Sequence, residues 1–467
     1  MMKEKTAQVA AGAGFLAALG FFQFGYPYHL MRREQLNLFV YDWDYIRRTY
    51  NGVGWLARFA CDFLEQFFHL PVVGPLVIAL LLVGIGAAVF GICRHFLGRW
   101  PSLAVAALFY AWSFLRETEN LFSTRYTLVM LGYLGLVLLA LRFKGVWRKC
   151  AAALLLLACG IWALGAPAHR YYGALWGTPS IRYDKIIGVD TEVSRERWDK
   201  VARLSEEDLM STEACYCFNL AHAMKGDLGS VLLDHSQNGA AGLLIWIAPG
   251  RSLFTNCLAG EAWFQMGNMT MAEQSAIIAL QASPKHTGTR FLIRLARTNL
   301  VSGEYGAAQK YLETLGRTLF YGKWARQMLD RIQEGTMPDW VNRARRNLAR
   351  KDLVYDQDVY RPILLDLLEA NPGNGVAREY LLCYDLLRYD LNHFMEDLPG
   401  TTVEARIYQE AVLVWLSQHN ALTPVQAARY GIGASTFNRM NSFFSHPEQY
   451  RNTYWYYYTQ ASKRSNQ

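Results

Sequence analysis

The chain predicts an all-α protein: an N-terminal bundle of about five transmembrane helices followed by a helical-repeat solenoid. Three observations predict it. Five apolar stretches crowd into the first 168 residues, helix-period patterns fill the rest, and small residues recur there at the spacing of paired antiparallel helices. Overall, 52% hydrophobic residues would pass for an ordinary globular protein; the average hides two unlike halves.

The apolar stretches run 7–24, 70–92, 100–115, 126–141 and 150–168, and none holds an internal Asp, Glu, Lys or Arg. A helix crosses a bilayer in about 17–25 residues, so each is long enough or nearly so. The expected organisation is a transmembrane domain over 1–168 with an outer loop at 25–69, a connector at 169–193, a helical-repeat domain at 194–461 and a disordered tail at 462–467. Small residues four apart (Ala10/Gly14, Gly84/Ala88 and Ala87/Gly91) let helices approach closely in lipid. The first stretch lacks a small-residue cleavage site before a soluble region and reads as an uncleaved signal anchor.

The net charge of +8 lies wholly in the membrane half. Up to Arg170 there are 16 Lys and Arg against 8 Asp and Glu; beyond it there are 31 of each. The excess flanks apolar stretches, where basic residues set orientation, so it does not point to nucleic acid. Lys3 and Lys5 precede the first stretch, Arg94 and Arg99 separate the second and third, and Arg142, Lys144, Arg148 and Lys149 separate the fourth and fifth. The positive-inside rule then predicts a bacterial inner-membrane protein with a cytoplasmic N-terminus and a periplasmic C-terminal domain. Losing one short stretch, 100–115 or 126–141, would reverse the side of that domain. The eight cysteines form no disulfide framework; Cys215 and Cys217 point to different sides of a helix and suit neither a disulfide nor a metal clamp.

In the outer loop, Trp55, Phe59, Phe63 and Phe67 recur every four residues, which predicts an amphipathic helix along the membrane face. After the fifth stretch, Trp198, Val201 and Leu204 begin a helical face. Gly260, Trp263, Gly267, Ala272, Ala279 and Pro284 then fall at the spacings of a tetratricopeptide repeat, two antiparallel helices in about 34 residues. Gly303 and Ala308 repeat the Gly267 and Ala272 pair one unit later. Asn371-Pro372-Gly373 stops a later helix, and the aromatic run Tyr454–Tyr458 is expected to cap the last repeat.

Recognisable soluble chemistry is missing: there is no Walker loop, HExxH, nucleophile elbow or Cys-x-x-Cys, so no cofactor or metal is implied. Asp42 and Asp44 stand in the first outer loop, where membrane glycosyltransferases using lipid-linked sugars often carry acidic residues as a base or metal ligand. The resemblance to those enzymes covers topology and this acidic pair only; a turn, or pairing with Arg47 and Arg48, is the plainer reading. Arg116, Glu117, Glu119 and Arg125 form a polar cluster at the same face, suited to a headgroup or to pairing among themselves. Arg290, Arg294 and Arg297 recur at helical spacing where a repeat groove would clasp an acidic peptide or carboxylate. A solvated helix face is the alternative. Arg343, Arg345, Arg346, Arg350 and Lys351 make a denser basic run, the better electrostatic docking surface.

Glu34-Gln35-Leu36 with Leu38-Phe39, Phe63–Phe68 running into Pro71 and Gly74-Pro75, and Arg294-Leu295-Ala296, Asn299 and Gly303-Glu304-Tyr305 resemble a family of uncharacterised multi-pass proteins of Bacteroidota, classed as a domain of unknown function. That resemblance implies an inner-membrane protein with an outward helical domain and no assigned activity. The expected function is a membrane-anchored scaffold whose repeat domain binds an envelope protein or peptide, with membrane lipid as the other partner. The alternative is a glycosyltransferase-like enzyme using Asp42 or Asp44.

Overall fold

A computed structural model describes residues 2–52, 54–119, 123–142, 145–147, 149–150, 153–154, 157, 178–283, 285–351, 360–400 and 402–465. Among them every regular element is helical and there is no strand. They divide into two compact units. The first takes 1–187, 287–290 and 313–326; the second takes 188–286, 291–312 and 327–467. Two short segments of the expected C-terminal domain thus belong with the N-terminal residues.

In the first unit, α1 (Met2–Gly20) runs into a π-helical turn at Phe21–Gly25, and Pro27 opens α2 (Pro27–Gln35). Then come α3 (Trp43–Thr49), α4 (Trp55–Glu65), α5 (Val73–Cys93), α6 (Arg99–Glu117) and α7 (Thr124–Ala140). Two segments are long and apolar enough to cross a membrane, Thr6–Gly25 and Val73–Cys93, and α7 is apolar but shorter. At 1.5 Å per residue, α5 spans about 32 Å, close to a hydrocarbon core of about 30 Å. Of the five expected stretches, 150–168 falls largely outside the described residues.

Small residues set the distances between these helices. A Cβ at Gly84 would lie 3.2 Å from Leu131 and one at Gly91 3.0 Å from Leu138, so α5 and α7 approach through both glycines. Ala18, Phe22, Leu30, Phe68, Ile78 and Leu82 fill the core at one end of the bundle. Trp55, Phe59 and Phe63 of the four-residue aromatic series lie on one helix, α4, while Phe67 falls in the 3-10 turn Gln66–His69. Phe59 and Phe63 turn inward onto Phe39, with ring centroids 5.4 and 5.6 Å apart.

Beyond these lie α8 (Ile181–Ser194), α9 (Trp198–Ser205), α10 (Thr212–Lys225), α11 (Leu228–Val231), α12 (Leu253–Met266), α13 (Met269–Ala282), α14 (Thr289–Ser302), α15 (Tyr305–Gly316) and α16 (Gly322–Gln333). The chain continues through α17 (Asp339–Arg345), α18 (Arg361–Ala370), α19 (Gly375–Leu387), α20 (Leu391–Asp397), α21 (Arg406–Gln418), α22 (Pro424–Arg429), α23 (Ala434–Ser445) and α24 (Tyr454–Ser465). Composition predicts a disordered tail from 462, yet helix α24 continues to Ser465.

The α12–α13 hairpin follows from its small residues. A Cβ at Gly260 would lie 2.6 Å from Ser275, so only glycine permits this crossing. Gly267 ends α12 at φ 101°, and the Asn268 side chain caps α13 by accepting from the Met271 amide at 2.9 Å. Trp263, Ala272 and Ala279 are buried in this hairpin.

The second unit nevertheless departs from an open array, in which each helix pair touches only its neighbours. A Cβ at Gly229 on α11 would lie 2.6 Å from the Tyr408 ring on α21, and Asn374 donates to the Met266 carbonyl at 2.8 Å. The cause is α10, buried on every side from Ala214 to Ala223. A helix with apolar residues on every side, and with polar Asn219 donating to the Gly242 carbonyl, is covered all round, so it gathers helices distant in sequence. Its Tyr216 hydroxyl donates to the Leu258 carbonyl and accepts from the Ala262 amide, both at 2.8 Å. These are groups that an undisturbed helix pairs with each other. Tyr454 and Trp455 of the terminal aromatic run are buried, and the Trp455 indole donates to the Glu410 carbonyl at 3.1 Å.

Candidate functional site

Polar residues of the first unit converge where α6 ends and α7 begins. Pro27 has no amide to leave unpaired at the start of α2. The next two amides, of Tyr28 and His29, donate to the Asp184 carboxylate on α8 at 3.4 and 2.7 Å. Asp184 thereby serves as a cap from a distant part of the chain and meets the positive end of the helix. Burial pushes its carboxyl up to about 7, against the two amides that favour the charged form.

One turn apart on α2, His29 and Arg33 face the same side. Arg33 donates through Nη1 to Glu117 Oε2 at 2.8 Å and Thr124 Oγ1 at 2.7 Å, and through Nη2 to the Glu117 carbonyl at 2.9 Å. His29 Nε2 lies 3.0 Å from the same carbonyl. A carbonyl only accepts, so Nε2 carries the proton. The Thr127 hydroxyl also donates to the Glu117 carboxylate. Glu117 is fully buried and the Arg33 side chain 9% exposed. The arrangement joins α2, α6 and α7 and satisfies the end of α6; a substrate would have to open it to reach either charge.

The residues singled out by the sequence fall in different places. Asp42 caps α3, accepting from the Tyr45 amide at 2.9 Å, and pairs with Arg317 at 2.7 Å. The Tyr45 amide and then Arg317 hold its carboxyl below the usual range. Asp44 is exposed in the first turn of α3. Of the expected polar cluster, Glu117 turns into the buried network. Arg116 lies over the Trp112 ring at 5.0 Å, Arg125 over Tyr126 at 5.6 Å, and Glu119 is half-buried. Neither His29, Arg33 nor Asp184 stood out in the sequence. The one local signal was Arg32-Arg33, a basic pair on the side of the first apolar stretch that the positive-inside rule leaves poor in charge.

The arginine stripe is also drawn inward. Arg290 is 9% exposed. Arg294 pairs with Glu261 and lies 4.0 Å over the Phe264 ring; Arg297 pairs with Glu196 at 2.6 Å and stacks on Trp340 at 4.9 Å. In the basic run, Arg345 donates to the Leu300 and Val301 carbonyls at 2.8 and 3.1 Å and so finishes α14. Arg350 and Lys351 meet Glu369 at 3.6 and 3.8 Å. Arg343 and Arg346 are exposed and have no acidic partner among the described residues.

Cys61, Asp62 and Glu65 on α4 bring possible metal-ligating atoms within 4.8 Å of one another, all buried. Three donors from one helical turn fall short of the four of a closed structural zinc site. Asp62 already accepts from the Tyr50 hydroxyl at 3.1 Å. Burial, then the Asp62 charge, pushes the Tyr50 phenol upward, so it remains a donor.

No curated protein and no solved structure matches the chain. A family model does, over residues 3–178 and 169–461, nearly the whole length. The protein therefore belongs to DUF6057, a family of unknown function.

Proposed function

We propose that this protein is a membrane-anchored binding scaffold and not an enzyme. In this reading the five apolar stretches cross a bacterial inner membrane, and the tetratricopeptide-like helices stand in the periplasm. There they hold an acidic protein or peptide of the envelope. The observation that carries it is the fate of the charges. Of the candidate carboxylates, Asp42 is committed to a helix cap and to the exposed Arg317, Glu117 is committed to the buried Arg33, and Asp44 stays exposed in the first turn of α3. Arg343 and Arg346 stay exposed and unpaired among the described residues, as an electrostatic docking surface requires. Aromatic side chains support the membrane assignment: Phe96 and Trp100 are exposed beside the C-terminal end of α5, Trp43 and Trp55 in the loop before its start. Such rings gather at the two interfaces of a bilayer.

The test is crosslinking of the full-length protein in its native cells, followed by mass spectrometry of what copurifies. Arg343→Glu with Arg346→Glu should lower capture of the main partner about tenfold at unchanged abundance, while Asp42→Asn with Asp44→Asn leaves capture intact. Recovery of a polyprenyl-type lipid without any protein partner, together with loss of function in the aspartate variant, would replace the scaffold by the glycosyltransferase-like enzyme.

A further inference from the structure

Helices α1, α5 and α6 leave a cavity of about 350 Å³ between them, within the roughly 300–1,000 Å³ of ligand sites. Ala11, Gly14, Gly86, Ala87 and Ala106 line it and are too small to fill it. Tyr110 crosses one end, its hydroxyl donating to the Gly14 carbonyl at 2.6 Å. Towards the other end the lining residues include Ala7 and the polar Gln8 of α1, with Phe90 and Leu103. Arg94 follows Phe90 by four residues at the end of α5, and Arg99 precedes Leu103 by four at the start of α6. Residues four apart share a helix face, so both arginines continue the cavity walls at its mouth. Neither has a carboxylate partner among the described residues, and Arg99 Nη2 is shielded from water without a hydrogen-bond acceptor.

We propose that this cavity holds an anionic phospholipid, with one acyl chain between α1, α5 and α6 and the phosphate between Arg94 and Arg99. The inference rests on the transmembrane reading of these helices. An apolar void excludes water, and left empty it forfeits dispersion contacts along its whole lining. The surrounding bilayer supplies chains of the right chemistry. Any lipid tail would fill the void; two arginines without a carboxylate partner among the described residues select a headgroup of net negative charge.

The full-length protein in detergent would be incubated with mixed micelles of equal phosphatidylglycerol and phosphatidylcholine, and the lipid retained per chain read by native mass spectrometry. One phosphatidylglycerol should remain, preferred about tenfold. Arg94→Gln with Arg99→Gln should bring the preference near unity, and Arg94→Lys with Arg99→Lys should keep it. Gly86→Leu should abolish retention of either lipid; a Cβ there meets Tyr110 at an ordinary 3.7 Å, so the backbone tolerates it, and the thermal midpoint confirms folding. Wild type that retains no lipid, or both equally, overturns the proposal, as does Gly86→Leu that retains as much as wild type. Carbonate washing of native membranes separates the two levels. Release of the protein would defeat the transmembrane reading itself, whereas protein that stays but selects no lipid defeats only this site.

Discussion

Glu117 decides the polar interior of the first unit, because a buried charge is tolerated only while its partners remain. Its carboxylate is fully buried and meets Arg33 at 2.8 Å, with Thr124 and Thr127 beside it. Arg33 fits here better than lysine would: its fork reaches the Glu117 carboxylate, the Glu117 carbonyl and Thr124 at once, which a point charge cannot do. Removing one partner of such a pair strands the other, at about 3–5 kcal/mol, whereas exchanging both for apolar residues is often neutral. Glu117→Ala should therefore lower the thermal midpoint of the detergent-solubilised protein sharply, and Arg33→Leu with Glu117→Leu should recover most of the loss. A single variant that melts like wild type would mean that the pair is hydrated and contributes little.

At the scale of elements, Gly267 shows what a helix hairpin demands of one residue. It combines φ 101° with a close approach: a Cβ would sit 1.9 Å from the Asn347 carbonyl oxygen. Gly303 has φ 86° but open space around it. Gly303→Ala should cost only the left-handed backbone term, about 1–2 kcal/mol. Gly267→Ala must also displace the 347–349 segment, whose Ala349 amide donates to the Gly267 carbonyl at 3.1 Å, and should cost clearly more. Chemical denaturation of both variants measures the difference; equal penalties would mean that the segment yields freely. The same comparison explains what the sequence could reveal. Gly260, Ala272 and Ala279 are legible because their constraints come from partners within about one repeat, and Gly267 because its left-handed backbone ends α12, so spacing records them. Asn347, 80 residues beyond Gly267, leaves no trace in local spacing. Neither does the Asp184 cap, 155 residues from His29. For the same reason helical period cannot tell a solvated face from one met by Glu261 and Glu196, the partners of Arg294 and Arg297.

For the molecule as a whole, buried carboxyls set how stability responds to pH. Asp184, Glu379, Asp385 and Glu410 are each pushed up to about 7, chiefly by burial; at Asp385 the nearby Arg361 lowers the value without reversing the shift. Unfolded, these groups titrate near 4. Between pH 4 and 7 the folded protein thus holds protons that the unfolded chain has released. Stability is greatest at the acidic end of that window, falls as pH rises through it and levels off above 7. Asp42 and Glu196 act in the opposite sense. Glu196, against its burial, is held down by Arg297, and both groups withdraw their contribution only as pH falls through their lowered values, below the ordinary carboxylate range. The thermal midpoint should therefore be higher near pH 5 than at pH 8. Glu410→Gln isolates one group. The amide is neutral throughout, and its oxygen can still accept from the Tyr454 amide, now 2.8 Å from the carboxylate. A shift from 4.5 to about 7 corresponds to on the order of 3 kcal/mol, so the variant should gain most at pH 8, gain little at pH 5 and show a shallower slope between. A profile as steep as wild type would place the proton uptake on Asp184, Glu379 and Asp385 and leave Glu410 ionised inside the fold, compensated by Arg406 and Arg439.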